Sequence, residues 1–280
     1  MDRYTRDVDI VLLRKRKKRR RQLIKFTAFM FIVGTAVMLY SKRDVWFPKL
    51  EGIGSRFQSV KSNGELAEGN FPLSISGGID YQTGNLNGYL AILSDAYLYI
   101  YNDNGELYEE RQHAYSNAML QTAGKKAMVY ESGGNRFRVE SRSKIIYSKK
   151  LEDNIIFARL SDDGRAAVIT SSETYICRLI VYDESGEEIY TRNCVERVTD
   201  LAFNEKATGC VLATADAGGG YVYSKIISVS FDSKKDNWVS EPLDTLCLKL
   251  YGGESGILVI GDTKYAYYNS KGEMQKEYEY

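Results

Sequence analysis

The sequence predicts an all-β fold, a β-propeller-like array of about five four-stranded blades, preceded by a single transmembrane α-helix. Three observations carry that reading. An uncharged apolar stretch stands directly behind eight consecutive cations. From Phe71 onward, short β-rich runs are broken by turn signals, with no helix-period segment of useful length. An aromatic- or serine-led turn also recurs at intervals of 40, 41, 49 and 37 residues, the spacing of one four-stranded blade.

The charge distribution separates the ends of the chain. The 280 residues hold 38 Lys plus Arg against 37 Asp plus Glu, and at 44 % hydrophobic they are neither disordered nor fibrous. That near-neutral balance hides an asymmetry. Residues 1–25 carry eleven basic and three acidic groups, net +8, whereas residues 26–280 carry 27 and 34, net −7. An acidic body argues against nucleic acid as a partner.

Residues 1–22 read as a cytoplasmic basic segment and 23–41 as a transmembrane signal anchor. Positions 26–40 contain no charge, and counting 23–41 gives about 28 Å of helix, close to the hydrocarbon core of a bilayer. Lys25 stands near the end, where its amine can snorkel to the headgroups. The cation run at 14–21 precedes the span, and only Lys42, Arg43 and Lys49 follow closely, so the N-terminus is expected in the cytoplasm and the body outside the cell membrane. A cleaved signal peptide fits less well, because the exit Met38-Leu39-Tyr40 is bulky. The basic run reads as a topology signal that also touches anionic lipid headgroups.

Residues 42–70, polar and with glycines at 52, 54, 64 and 69, read as a stalk; 71–280 form the expected extracytoplasmic domain. Its turns open at Tyr101 (YNDNGELY), Ser141, Tyr182 (YDESGEEIY), Phe231 and Tyr268 (YNSKGEM), each after a candidate strand. A second marker, Phe157–Val168, is matched by Leu201–Leu212, each read as strand, tight turn and strand with Asp or Gly supplying the turn. The apolar segments 91–93, 127–130, 166–170, 210–214 and 256–261 are the candidate second strands. Blades are then expected at 86–115, 116–152, 153–196, 197–243 and 244–280. The last unit stops at Tyr280 with no returning tail, so an open or truncated arc with exposed apolar end faces is expected. The alternative is a closed five-bladed ring in which residues 71–85 supply a missing strand.

Nothing in the sequence forms a catalytic, cofactor or metal constellation. His113, the only histidine, stands in a loop and reads as a loop polar group; one histidine rules out a His-rich metal site. The glycine pairs at 77–78, 133–134 and 252–253, and the triplet 218–220, lack the following Lys-Ser/Thr and helix of a phosphate cradle, so they read as hairpin and bulge glycines. Asp162-Asp163 reads as an exposed turn. Of the 22 tyrosines, Tyr97, Tyr99, Tyr101, Tyr221 and Tyr223 stand at period two, as cross-strand aromatic pairing would place them. Four cysteines, Cys177, Cys194, Cys210 and Cys247, have no zinc spacing and suit either buried strands or a disulfide. Cys177 and Cys194 face each other only if their hairpin pairs residues summing to 371; a sum of 369 separates them.

The segments Phe71–Gly78, Tyr115-Ser116-Asn117 and Gly133–Lys144 give the chain a family likeness. Over most of residues 20–280 it resembles a Gram-positive bacterial family of unknown function. The resemblance implies one N-terminal transmembrane helix and an external propeller-like domain of quinoprotein or WD type. It carries over no catalytic residue and no cofactor. The expected role is therefore a non-enzymatic binding or scaffold module of the cell envelope, facing an unidentified envelope protein or glycan. The alternative is an envelope hydrolase or lyase with an Asp/Glu/Arg site on the propeller axis.

Overall fold

Short runs of β-branched and aromatic residues, punctuated by Asn, Asp and Gly, fold as twenty strands with no helix between them in residues 80–280. The computed structural model describes those residues, and Met30 before them. The basic segment, the rest of the expected span, the stalk and residues 71–79, with the Gly77-Gly78 pair, lie outside the described residues. Among the described residues no helix is long and apolar enough to cross a membrane.

The strands form five four-stranded sheets. The first blade holds β1 (Gln82–Leu86), β2 (Tyr89–Leu93), β3 (Tyr97–Tyr101) and β4 (Leu107–Gln112). The second holds β5 (Ala118–Ala123), β6 (Lys126–Glu131), β7 (Arg136–Ser141) and β8 (Ile145–Lys150). In the third are β9 (Ile155–Leu160), β10 (Ala166–Thr170), β11 (Cys177–Tyr182) and β12 (Glu188–Cys194). The fourth has β13 (Arg197–Phe203), β14 (Gly209–Gly218), β15 (Tyr221–Ser230) and β16 (Asp236–Val239). β17 (Cys247–Gly253), β18 (Gly256–Gly261), β19 (Lys264–Asn269) and β20 (Met274–Glu279) make the fifth. Each is an antiparallel meander in chain order, as blades of a propeller are.

The second strands of the inner blades carry apolar runs because both their faces are buried. In β14, Cys210 and Leu212 pack toward the third blade, whereas Val211 and Ala213 pack toward the fifth. The same alternation sends Ala127 and Val129 of β6 toward the first blade, and Met128 and Tyr130 toward the third. A single four-stranded sheet could not bury both faces, so each blade depends on its neighbours.

The recurring turns join third and fourth strands, and three share one construction. The side-chain oxygens of Asn102, Asp183 and Asn269 accept hydrogen bonds from backbone N–H groups two and four residues on, at 2.8–3.0 Å. Three residues after each stands a glycine with positive φ: Gly105 (76°), Gly186 (90°) and Gly272 (82°). Asx and Gly thus recur at this spacing for turn geometry.

Two details depart from the sequence reading. The first blade begins at Gln82, because the polar segment Gln82–Leu86 pairs with β2 from Gln82↔Leu93 to Leu86↔Tyr89. Asn87-Gly88 makes the two-residue turn, with φ of 53° and 90°. Residues 82–85 are therefore spent inside the first blade, while the fifth has four strands of its own. Packing of the inner strands joins β1 to β5, β5 to β9 and β13 to β17, and among the described residues neither β9 to β13 nor β17 to β1 packs to that extent. The fifth blade presents an exposed face carrying Tyr251, Tyr265 and Tyr278. The outward face of the first blade differs, since Ile92, Tyr99 and Tyr101 are buried.

The second departure is one of register. Gly164 N–H bonds to the Ser161 carbonyl, and Ala207 N–H bonds in the same way to that of Asn204. The positive φ of Gly164 (96°) therefore falls on Ala207 (50°), not on Gly209. Gly209 serves another purpose, because a Cβ there would overlap the Val229 carbonyl.

Candidate functional site

The inner strands β5, β9, β13 and β17 end together, and the turns that follow them surround a cavity of about 750 Å³. Adjacent blades are laced at this rim. Lys126 Nζ donates to the Asp163 carbonyl at 2.8 Å, and Arg165 donates to the Ala207 carbonyl. Gly252 completes the wall, since a Cβ there would overlap the carbonyl of Phe203 on the neighbouring inner strand.

A fully buried carboxylate lies behind the lining residues Arg159 and Lys249. Asp200 stands where the β13–β14 register shifts, between Val198 and Asp200. Its Oδ2 accepts the Leu250 N–H at 2.8 Å and lies 3.7 Å from Lys249 Nζ, while its Oδ1 takes a hydrogen bond from Arg159. Three neighbouring blades thus meet on one side chain, with two cations against one carboxylate. The cations are not sealed. Arg159 and Lys249 keep 21 % and 39 % of their side-chain surface exposed on the cavity wall, and Arg159 Nε has no hydrogen-bond partner. Asp162, Asp163, Glu205 and Glu254 stand with Lys206 in the turns around the opening.

A second buried carboxylate joins the first two blades. Glu140 of β7, with no exposed surface, takes hydrogen bonds from Arg111 Nη1 (2.7 Å) and Arg138 Nε (3.0 Å). Arg111 also donates to the Ser141 and Arg142 carbonyls, and Arg138 to that of Gln112 at 2.8 Å.

Of the residues singled out in the sequence, Asp162, Asp163, Gly252 and Gly253 border the cavity and the others fall elsewhere. His113 is buried, its Nε2 3.0 Å from the Ser94 carbonyl; burial holds its pKa below the usual histidine value. It stands apart from the axial lining. Asp163 caps its own turn, accepting from Ser161 and Arg165, and with Asp162 borders the cavity. Gly133, Gly219 and Gly220 occupy positive-φ turn positions. Tyr97, Tyr99 and Tyr101 stack along their own strand at 5.8 and 6.4 Å, instead of across strands. A cross-strand pair does occur at Tyr265 and Tyr278, 5.0 Å apart. All four cysteines are buried thiols, and Cys177 is the direct cross-strand partner of Cys194. Among the described residues no three His, Cys, Asp or Glu side chains are placed to hold a metal.

Arg159, Asp200 and Lys249 escaped the sequence reading. The signal that could have found them is one charged residue inside each of three consecutive inner strands: FARL, TDLAF and LKLY.

Comparison with known proteins agrees with this architecture. Residues 73–280 match a family of unknown function, DUF5711. The chain belongs to that family. For the DUF5711 chain no curated protein is matched. Among solved structures, the computationally designed Ika8 protein is 13 % identical, with a TM-score of 0.55 over 70 % of this chain and 60 % of that one. A chain of a mitotic checkpoint complex is 10 % identical over 68 % and 62 %, with a TM-score of 0.50. The WD40 domain of Neurospora crassa Pan2 is 10 % identical over 68 % and 61 %, at 0.48. Such identities concern the fold alone. The DUF5711 chain spans about 60 % of the length of these solved chains.

Proposed function

We propose that this chain is a membrane-anchored, extracytoplasmic propeller-like module that binds or scaffolds a protein or glycan of the cell envelope, with the axial cavity as its receiving site. The cavity is the observation that carries the reading. Four blades contribute to it, and two of its cations retain exposed surface above a single neutralising carboxylate. Small-molecule and peptide sites favour such concavities with a few convergent polar groups. The apolar stretch at 26–40 behind the cations at 14–21 supports the external location.

A hydrolase or lyase on the same axis would need a carboxylate free to exchange a proton with a substrate. Asp200, fully buried beneath Arg159, Lys249 and the Leu250 N–H, is not such a group, and the enzymatic reading would rest on the rim carboxylates Asp162, Asp163, Glu205 and Glu254.

Protease added to intact protoplasts is expected to shave the β domain while sparing an N-terminal tag. Release of that tag would reverse the topology. Proximity labelling from intact cells is expected to enrich envelope components, and a purely cytoplasmic set of labelled proteins would contradict the reading.

A further inference from the structure

The third blade carries a pair of thiols on adjacent strands. Cys177 opens β11 and Cys194 closes β12, and the register pairs them directly. Opposed residues of an antiparallel pair have Cα atoms about 4.5–5.5 Å apart, inside the range that a disulfide spans. Both thiols are buried, yet they sit at the open end of the hairpin. The flanking residues Ile176 and Val195 are 50 % and 67 % exposed, so local fraying of this end admits a small oxidant.

We propose that Cys177 and Cys194 are a disulfide-forming pair that staples the outermost strand of the third blade to its neighbour. Cys177 is the attacking sulfur. The hydrogen bond from the Cys194 thiol lowers its pKa against the opposing effect of burial, with the Val198 N–H and Arg192 favouring and Glu196 opposing the thiolate. Cys194 is pushed the other way, by its hydrogen bond to Cys177 and by burial.

The oxidant is a small-molecule or protein disulfide. The Cys177 thiolate attacks one of its sulfurs, forming a mixed disulfide and expelling one thiolate. Cys194 then gives up its proton and attacks the Cys177 sulfur, expelling the second thiolate. One disulfide is reduced to two thiols, and the chain leaves two hydrogens lighter. Cys210 and Cys247 stay reduced, because neither has a cysteine across its strand pair: Cys210 stands opposite Phe203 and Val229, and Cys247 opposite Gly261. The proposal does not rest on the location of the domain.

The test uses the full-length chain exposed to oxidised glutathione, then alkylated under denaturing conditions and digested with trypsin. Cleavage after Arg178 and Arg192 places the two cysteines on separate peptides. The expected result is a linked Cys177–Cys194 peptide pair, with only Cys210 and Cys247 alkylated. The oxidised protein should melt a few degrees above the reduced one. Cys177→Ser should abolish both effects and Cys210→Ser neither. Four alkylated cysteines in the wild-type chain, or a link through Cys210 or Cys247, would overturn the assignment without touching the axial reading.

Discussion

Glu140 and Asp200 are both fully buried carboxylates held by two cations each, and they differ in what surrounds the cations. Around Glu140 the guanidinium groups spend further donors on the Ser141, Arg142 and Gln112 carbonyls, and the network lies enclosed between the first two blades, with the buried Arg138 Nη2 left without a hydrogen-bond partner. Around Asp200, Arg159 and Lys249 face the axial cavity with surface to spare. Charge that is enclosed within the protein serves to fix blade geometry. Charge that keeps exposed surface and borders a concavity is available to a ligand.

The largest break in that comparison should come from Glu140→Ala. It strands two guanidinium groups, one of them buried, and should cost about 3–5 kcal/mol in urea unfolding. Asp200→Ala should cost less, about 2 kcal/mol, because Arg159 and Lys249 can take water from the cavity. Equal losses in the two variants would erase the distinction between closed and open networks.

A smaller effect sharpens the axial side. Ala207 holds a left-handed φ of 50° in the cavity rim, a conformation that costs an L-residue but not glycine. Ala207→Gly should stabilise the protein by about 0.5–1 kcal/mol in the same assay. Destabilisation would show that packing of the buried Ala207 methyl outweighs the backbone strain.

The smallest effect concerns His113, beside the closed network. Burial lowers its folded-state pKa, so the unfolded chain takes up a proton first as pH falls. Its contribution is complete above the unfolded value of about 6.5 and is lost as pH drops toward the lower folded value. His113→Gln should therefore lose less stability than wild type between pH ~7.5 and ~5.5 in matched urea titrations. A parallel decline in both proteins would place the acid sensitivity elsewhere.

The blades were legible because two local signals recur, the turn in three blades and the apolar second strand in all five. The Asx-x-x-Gly turns and the doubly buried second strands leave local signals, and 127–130, 166–170 and 210–214 all fall within strands where they were expected. β1 was missed because QTGNL has no apolar run, its place depending on pairing with β2. The two-residue shift from Gly209 to Ala207 has a similar cause, since Gly209 attracts a turn assignment although a neighbouring carbonyl is what requires it. The axial site was not legible as a unit. Arg159, Asp200 and Lys249 are about forty to fifty residues apart, and only packing of successive blades brings them together.

The most direct test of the axial site is photocrosslinking in intact cells, with a photoreactive residue at Lys206 or Glu254 on the cavity rim, or at Glu188 on the exposed outer strand β12. A receiving site on the axis predicts a discrete adduct from both rim positions, weakened by Lys249→Glu, and none from Glu188. Adducts of equal strength at Glu188 and the rim, or at Glu188 without the rim, would contradict the axial cavity as the receiving site.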